Sequence, residues 1–152
     1  MCARGEDPSY TEAAMHAPRP EDRILLVEDD AEFADLYRMA LSMGGYAVDT
    51  ARDGVEGLDM ARRSPPALVV TDMRMPRMTG IELLRALRAD PATSCLPAVV
   101  LSNYDDPAMA QEARDLGVLH WLVKVTVTPR DVLHRVPTWL AGGCTDTPSP
   151  LG

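Results

Sequence analysis

The residues able to do chemistry gather in four short stretches. Glu28, Asp29 and Asp30 stand together, Asp72 lies in the segment TDMRMPRMTG, Ser102, Asn103 and Tyr104 follow one another, and Lys124 closes a short apolar run. If the fold brings Glu28, Asp29 and Asp72 to one place, each pair of unit charges about 4 Å apart repels by roughly 4 kcal/mol at an effective dielectric near 20, so the cluster demands a counter-charge. With Lys124 among them, three carboxylates against one ammonium leave two negative charges over, which a single divalent cation cancels. Oxygen donors without histidine or cysteine nearby select a hard ion, and Mg2+ is the abundant one that keeps company with phosphate. A carboxylate, a metal, a hydroxyl and an ammonium can together position a phosphoryl group, neutralise its oxygens and let the carboxylate attack phosphorus. Aspartate is an established nucleophile in such chemistry.

Each stretch lies just beyond an apolar run of strand length. The runs are Ile24–Val27, Leu68–Thr71, Ala98–Leu101 and Trp121–Val123, with a weaker fifth at Ala47–Ala51. Short runs rich in Val and Leu fit strands buried on both faces of a parallel sheet. Between them lie longer amphipathic segments with helix start signals. Asp30 caps a helix beginning at Ala31, and Asp53 with Glu56 and Thr79 with Glu82 have the spacing in which a cap and the third helical residue exchange hydrogen bonds. Asp106-Pro107 and Thr128-Pro129 place a cap before a proline, which suits the first helical position. Gly44 and Gly117 stand where helices should stop. Five successive βα units imply a parallel sheet with helices on both faces. In such a sheet function collects beyond the carboxyl ends of the strands, where all four stretches fall. The second run alone delivers nothing ionic before Arg52.

The composition bounds the function. The chain has 152 residues, 46% hydrophobic and 25% charged, which suits one globular domain. Residues 1–21 and 142–152 are expected to be flexible tails around a domain at 22–141. Fifteen basic against 23 acidic residues give a net charge of −8, which disfavours nucleic acid and anionic membranes as partners. No apolar run approaches the roughly 20 residues of a membrane span, and Met1–Pro20 has no hydrophobic stretch of the kind a secretory signal needs. Three widely separated cysteines, an odd number without metal-type spacing, suit reduced thiols better than a disulfide framework, so a cytoplasmic location is expected. His16, His120 and His134 suggest no ligand set.

The order VEDD, TDMRMPRMTG, LSNY, WLVK resembles the receiver domain of bacterial two-component response regulators, over residues 22–141. Singly, the acidic run reads equally well as a solvated helix cap, Asp72 as a turn former, Ser102 as the start of a helix and Lys124 as a strand-end lysine; their conjunction carries the resemblance. It implies a doubly wound (βα)5, flavodoxin-like fold, an α/β sandwich with a five-stranded parallel sheet. It also implies that Asp72 accepts a phosphoryl group from the phosphohistidine of a sensor histidine kinase, or exchanges it with a histidine phosphotransfer domain. Mg2+ would be held by Asp29, Asp72 and the backbone carbonyl of Arg74, with Glu28 acting through water. Ser102 and Lys124 would bind the phosphoryl group, and Trp121 stands at the position of an aromatic that changes rotamer on activation. Arg74 and Tyr104 occupy positions that influence how easily water reaches the acyl phosphate. A downstream protein would read a face made by the fourth helix, fifth strand and fifth helix, with no DNA-binding output domain after Leu140. The resemblance implies a signalling phospho-acceptor, with at most an intrinsic autophosphatase activity, and not an enzyme.

Two departures qualify this pattern. Receivers commonly follow the lysine with a proline in a cis peptide, whereas Val125 follows Lys124 here, which favours a more mobile loop or a different entry to the last helix. Trp121 is bulkier than the usual Tyr or Phe. The alternatives are a pseudo-receiver that docks partners without taking phosphate, and a phosphatase of the haloacid-dehalogenase type. The latter lacks its second aspartate, since Arg74 stands two residues after Asp72, and has no room for a cap domain.

Overall fold

The computed structural model describes Arg19 and residues 21–142. Apart from Arg19, Glu21 and Gly142, the tails expected over 1–21 and 142–152 lie outside the described residues. Strands and helices alternate: β1 (Arg23–Val27), α1 (Ala31–Met43), β2 (Ala47–Ala51), α2 (Gly54–Arg63), β3 (Leu68–Thr71), α3 (Gly80–Ala89), β4 (Ala98–Ser102), α4 (Pro107–Asp115), β5 (His120–Val123) and α5 (Pro129–Leu140). All five strands are parallel in the order β2-β1-β3-β4-β5. Chain order reverses at β1, so a crevice opens between the carboxyl ends of β1 and β3, where such sheets hold their ligands.

Strand alternation sorts the core. Leu25, Val27, Val69, Ala98 and Val100 face α2, α3 and α4 and pack on Leu58, Ala61, Leu83, Leu84, Leu87 and Ala113. Ile24, Leu26, Leu68, Val70, Val99 and Leu101 face the other way, onto Ala34, Tyr37 and Leu41 of α1 and Val132, Val136 and Trp139 of α5. Both faces of the central strands are covered, so β3 and β4 are buried throughout and read as unbroken apolar runs. Edge strand β2 is buried only at Ala51, which is why its run was the weakest.

The caps fall where the sequence puts them. Asp30 accepts from the amides of Glu32 and Phe33, Asp106 accepts from Met109, and Thr79/Glu82 and Thr128/Asp131 close reciprocal boxes. The pair Asp53/Glu56 differs. Asp53 accepts from the Glu56 amide at 2.9 Å, but Glu56 accepts from the Arg52 amide at 2.7 Å, one residue earlier, because Asp53 is fully extended. Gly44 ends α1 with φ −80°, and the left-handed residue is Gly45 at φ 100°. At 44 itself a Cβ would stand 2.4 Å from a terminal methyl of Leu133 in α5, a contact that the leucine side chain can relieve by turning. Gly117 ends the turn after α4 at φ 83°, a conformation glycine adopts without steric cost.

Two further points concern chemistry. His120 is structural, accepting from the Trp139 indole at 3.0 Å. Cys95, the only cysteine among the described residues, is disulfide-bonded, contrary to the expectation of reduced thiols. Sequence separation could not exclude a bond between distant cysteines, and an odd number leaves one over. No helix among the described residues is long and apolar enough to cross a membrane.

Candidate functional site

The sheet itself sets the acidic residues. The Glu28 amide donates to the Ala51 carbonyl at 2.9 Å and the Asp72 amide to the Val27 carbonyl at 3.0 Å, so both residues continue the ladder one step past their strands. Since Val27 pairs with Thr71, Glu28 and Asp72 arrive side by side in the crevice. Their side chains are buried, while Asp29 at the rim is exposed. Carboxylate oxygens of Glu28, Asp29 and Asp72 all lie within 4.8 Å of one another.

Lys124, at the tip of β5, reaches into this cluster. Its Nζ lies 2.8 Å from Glu28 Oε1 and 3.1 Å from Asp72 Oδ2, and its side chain is almost wholly buried. Asp72 Oδ1 accepts from the Met73 amide at 2.7 Å, so each oxygen of this carboxylate has a donor. Burial pushes the Glu28 carboxyl up from 4.5 to about 7, against the bond from Lys124, and the charge on Asp72 pushes the same way as burial. Burial works to lower the Lys124 ammonium, but the bond to Glu28 and the charges of both acids outweigh it and hold its pKa above the ordinary lysine value. Two carboxylates share one ammonium in a mostly dry place, an arrangement with a deficit of positive charge.

A pocket of about 460 Å³ opens over these groups, lined by Glu28, Asp29, Asp30, Phe33, Asp72, Arg74, Asn103, Lys124 and Val125. Of the expected residues, the fold thus joins Glu28, Asp29, Asp72, Arg74 and Lys124. Ser102 is buried at the end of β4, where its Oγ accepts from the Tyr104 amide at 3.2 Å, and it does not line the pocket. Tyr104 and Trp121 stand outside it too. The Arg74 guanidinium carbon lies 4.8 Å from the Tyr104 ring centroid, and the Trp121 indole donates to the Tyr104 carbonyl at 3.2 Å. Arg74, in the pocket wall, is therefore connected through Tyr104 to Trp121 outside it.

Phe33 was not expected. Its ring centroid is 4.2 Å from Lys124 Nζ and 4.5 Å from the Tyr37 ring, so α1 supplies an aromatic face beneath the lysine. An apolar residue in the first turn of a helix reads as core, and only the β5 tip lying over it reveals the contact. After Lys124 the chain makes a 3-10 turn over Lys124–Thr126, held by the Thr126 hydroxyl donating to the Val123 carbonyl at 2.8 Å. Val125 is 87% exposed, and no peptide bond among the described residues is cis.

Comparison with known proteins converges on one family. The family model described as "Response regulator receiver domain" matches residues 24–136. The "Response regulator MprA" of Mycobacterium sp. (strain KMS) is 39% identical over 102 residues, 67% of this chain and 44% of that protein, so the chain matches less than half of its length. The chemotaxis protein CheY4 of Vibrio cholerae superposes with a TM-score of 0.71 at 30% identity, covering 76% of this chain and 96% of that one. A CheY-like receiver domain protein from Methanospirillum hungatei superposes with a TM-score of 0.71 at 28% identity, over 79% of this chain and 94% of that one.

Proposed function

The chain belongs to the response regulator receiver domain family, and from that premise we propose that Asp72 is a phospho-acceptor loaded from a phosphohistidine. The observation that carries this reading is the cluster itself: three carboxylates with oxygens within 4.8 Å, and one ammonium shared between Glu28 and Asp72. The donor set fits Mg2+, being all oxygen with an exposed carboxylate at the rim of a pocket roomy enough for retained waters. Asp29, Asp72 and the Arg74 carbonyl would hold the ion directly, and Glu28 through water. When bound, Mg2+ neutralises oxygens of the entering phosphoryl group.

The chain's own residues do the rest. Met73 and Lys124 fix the plane of the Asp72 carboxylate. An Asp72 oxygen bonds to phosphorus as the phosphorus–nitrogen bond of the donor histidine breaks, and the imidazole departs with that electron pair. Phosphorylation replaces one negative charge on Asp72 with nearly two and adds acceptor oxygens. Lys124, now divided between two carboxylates, has cause to turn to the new charge. Ser102 would follow by leaving the Tyr104 amide, which moves the β4–α4 loop and the Trp121 indole bonded to it. Moving a population from 1:99 to 99:1 takes about 5.5 kcal/mol, within reach of a few charge-assisted bonds. The readout is a protein-binding surface on α4, β5 and α5, and the partners are a histidine kinase or phosphotransfer domain and a downstream protein. The protein is a signalling acceptor whose only hydrolytic activity is the slow loss of its own phosphate, which Arg74 and Tyr104 slow further by shielding the site.

The test is incubation with acetyl phosphate with and without Mg2+, read by intact mass. One Mg2+-dependent phosphoryl adduct per chain is expected, absent in Asp72→Asn. An unmodified parent chain would mark a pseudo-receiver.

A further inference from the structure

The loop from Asp72 to Gly80 is an arch. Its feet are joined by the Gly80 amide donating to the Met73 carbonyl at 2.8 Å. Its crown contains Arg77 at φ 66°, the only non-glycine residue with positive φ among the described residues. The Met78 amide donates to the Pro76 carbonyl at 2.7 Å, across that single residue. A hydrogen bond spanning one residue of positive φ is the rare and strained form of the three-residue turn. Strain of this kind persists only where the surroundings over-determine it.

Here the surroundings are the start of α2. Arg77 Nε lies 2.8 Å from Asp53 Oδ2 and Nη2 lies 3.2 Å from Oδ1, a two-pronged pairing, and the Gly54 amide donates to the Met78 carbonyl at 3.3 Å. Asp53 is buried and caps α2 with the same Oδ1 that meets Arg77, so its position is fixed by the helix. Arg77 and the Glu56 amide hold the Asp53 carboxyl below the usual range, as a working ion pair requires. A Cβ at Gly54 would stand 2.7 Å from the Met78 carbonyl oxygen, so the arch rests directly on the helix start. Between feet and crown lies Arg74, whose carbonyl the proposed function assigns to the metal.

We propose that the Asp53–Arg77 ion pair is a positioning device for the metal and acceptor site: it anchors the β3–α3 arch to α2 and so sets the direction of the Arg74 carbonyl. This rests on the reading of the site given above. Neither residue touches the pocket over Asp72, so the pair acts through the backbone between them.

Arg77→Gly removes the anchor in a residue that accepts the turn without strain but also frees the crown's backbone, so it is read only together with a variant that leaves the arch sequence intact. Asp53→Ser is that variant, since serine still caps the helix but cannot pair with arginine. Mg2+ affinity is read by calorimetric titration, and the acetyl phosphate reaction as a function of Mg2+. Both variants should bind Mg2+ more weakly by roughly tenfold, the low end for loss of a group that orients metal ligands. Their phosphorylation rates should return to the parent value at saturating Mg2+, and Arg77→Lys should recover part of the affinity. A purely structural pair would lower the melting temperature without moving Mg2+ affinity. Parent-like affinity in Arg77→Gly and Asp53→Ser overturns the inference while leaving the phospho-acceptor reading intact. A parent chain that binds no Mg2+ overturns that reading and the inference with it.

Discussion

The two halves of the site are built differently. At the tips of β1 and β3, backbone amides of Glu28 and Asp72 stay in the sheet ladder, both side chains are buried, and the arch after Asp72 is tied at its feet and its crown. At the tips of β4 and β5, Tyr104 is 54% exposed, Val125 is 87% exposed, and the loop after Ser102 is joined to β5 by one indole bond. Lys124 belongs to the second half by sequence and to the first by contact. The half that would hold charge is preorganised, and the half that would respond to it loses few bonds on moving. Under the proposed function, division of this kind would let a charge added at Asp72 change a surface without disturbing the sheet, because interactions within the exposed loops are those most cheaply exchanged.

The preorganised half should break hardest. A Cβ at Gly80 would lie 2.3 Å from the Asp72 carbonyl oxygen, so Gly80→Ala must shift either α3 or the acceptor strand. Urea unfolding should show a loss of about 3 kcal/mol, at the upper end of overpacking costs. Lys124→Met comes next. Leaving Glu28 and Asp72 buried without their cation should cost about 2 kcal/mol, discounted from the 3–5 typical of broken buried pairs because Asp29 opens the site to water. Mg2+ should raise the melting temperature of this variant more than that of the parent; an equal rise would place the ion elsewhere.

The dependence on pH separates the halves from the rest of the molecule. Glu28 has a folded pKa of about 7, above its unfolded value of 4.5, so the folded state binds the proton more tightly. Its contribution is fully present below 4.5 and is lost as pH rises through 7. Asp53, held low by Arg77, and Asp131, held low by the Thr128 cap, contribute oppositely: their stability is present above the unfolded carboxylate range and is lost as pH falls through their lowered values. Without Mg2+, the urea midpoint should therefore rise as pH is lowered from 8 towards 5 and fall in strong acid. Mg2+ should flatten the upper branch, and a branch that ignores the metal would show that Glu28 does not face it.

The smallest effect on folding belongs to the movable half. Tyr104→Ala removes an exposed ring stacked by Arg74, and stability should change by no more than about 0.5 kcal/mol. Its phosphorylated form should nonetheless lose phosphate several-fold faster, measured by the decay of the mass adduct. A lifetime equal to the parent's would remove Arg74 and Tyr104 from any shielding role.

Strands, caps and the acidic cluster were legible because each depends on residues near in sequence or on the end of a strand. Apolar runs located every strand, the helix-start pair at Thr79 and Glu82 needed only a spacing of three residues, and Thr128 was marked by the proline that follows it. What stayed hidden depends on contacts between elements. Phe33 beneath Lys124 joins α1 to the tip of β5, and Arg77 with Asp53 joins the β3–α3 loop to α2. The positive φ at Arg77 had no sequence signal, since the residues that usually announce one are glycine and asparagine. Gly44 was placed correctly at a helix end, but the left-handed residue that ends the helix is its neighbour Gly45. Ser102 was found at its strand end, yet its present partner, the Tyr104 amide, depends on how the loop folds.

An acyl phosphate on aspartate is reduced by borohydride to homoserine, which marks the modified residue permanently. Treating the chain with acetyl phosphate and Mg2+, reducing, and mapping peptides by mass spectrometry asks the central question directly. Homoserine is expected at position 72 alone, and only when Mg2+ was supplied. An unreduced Asp72 beside homoserine at Asp29 or Asp30, or no reduction anywhere, would contradict the assignment of the acceptor.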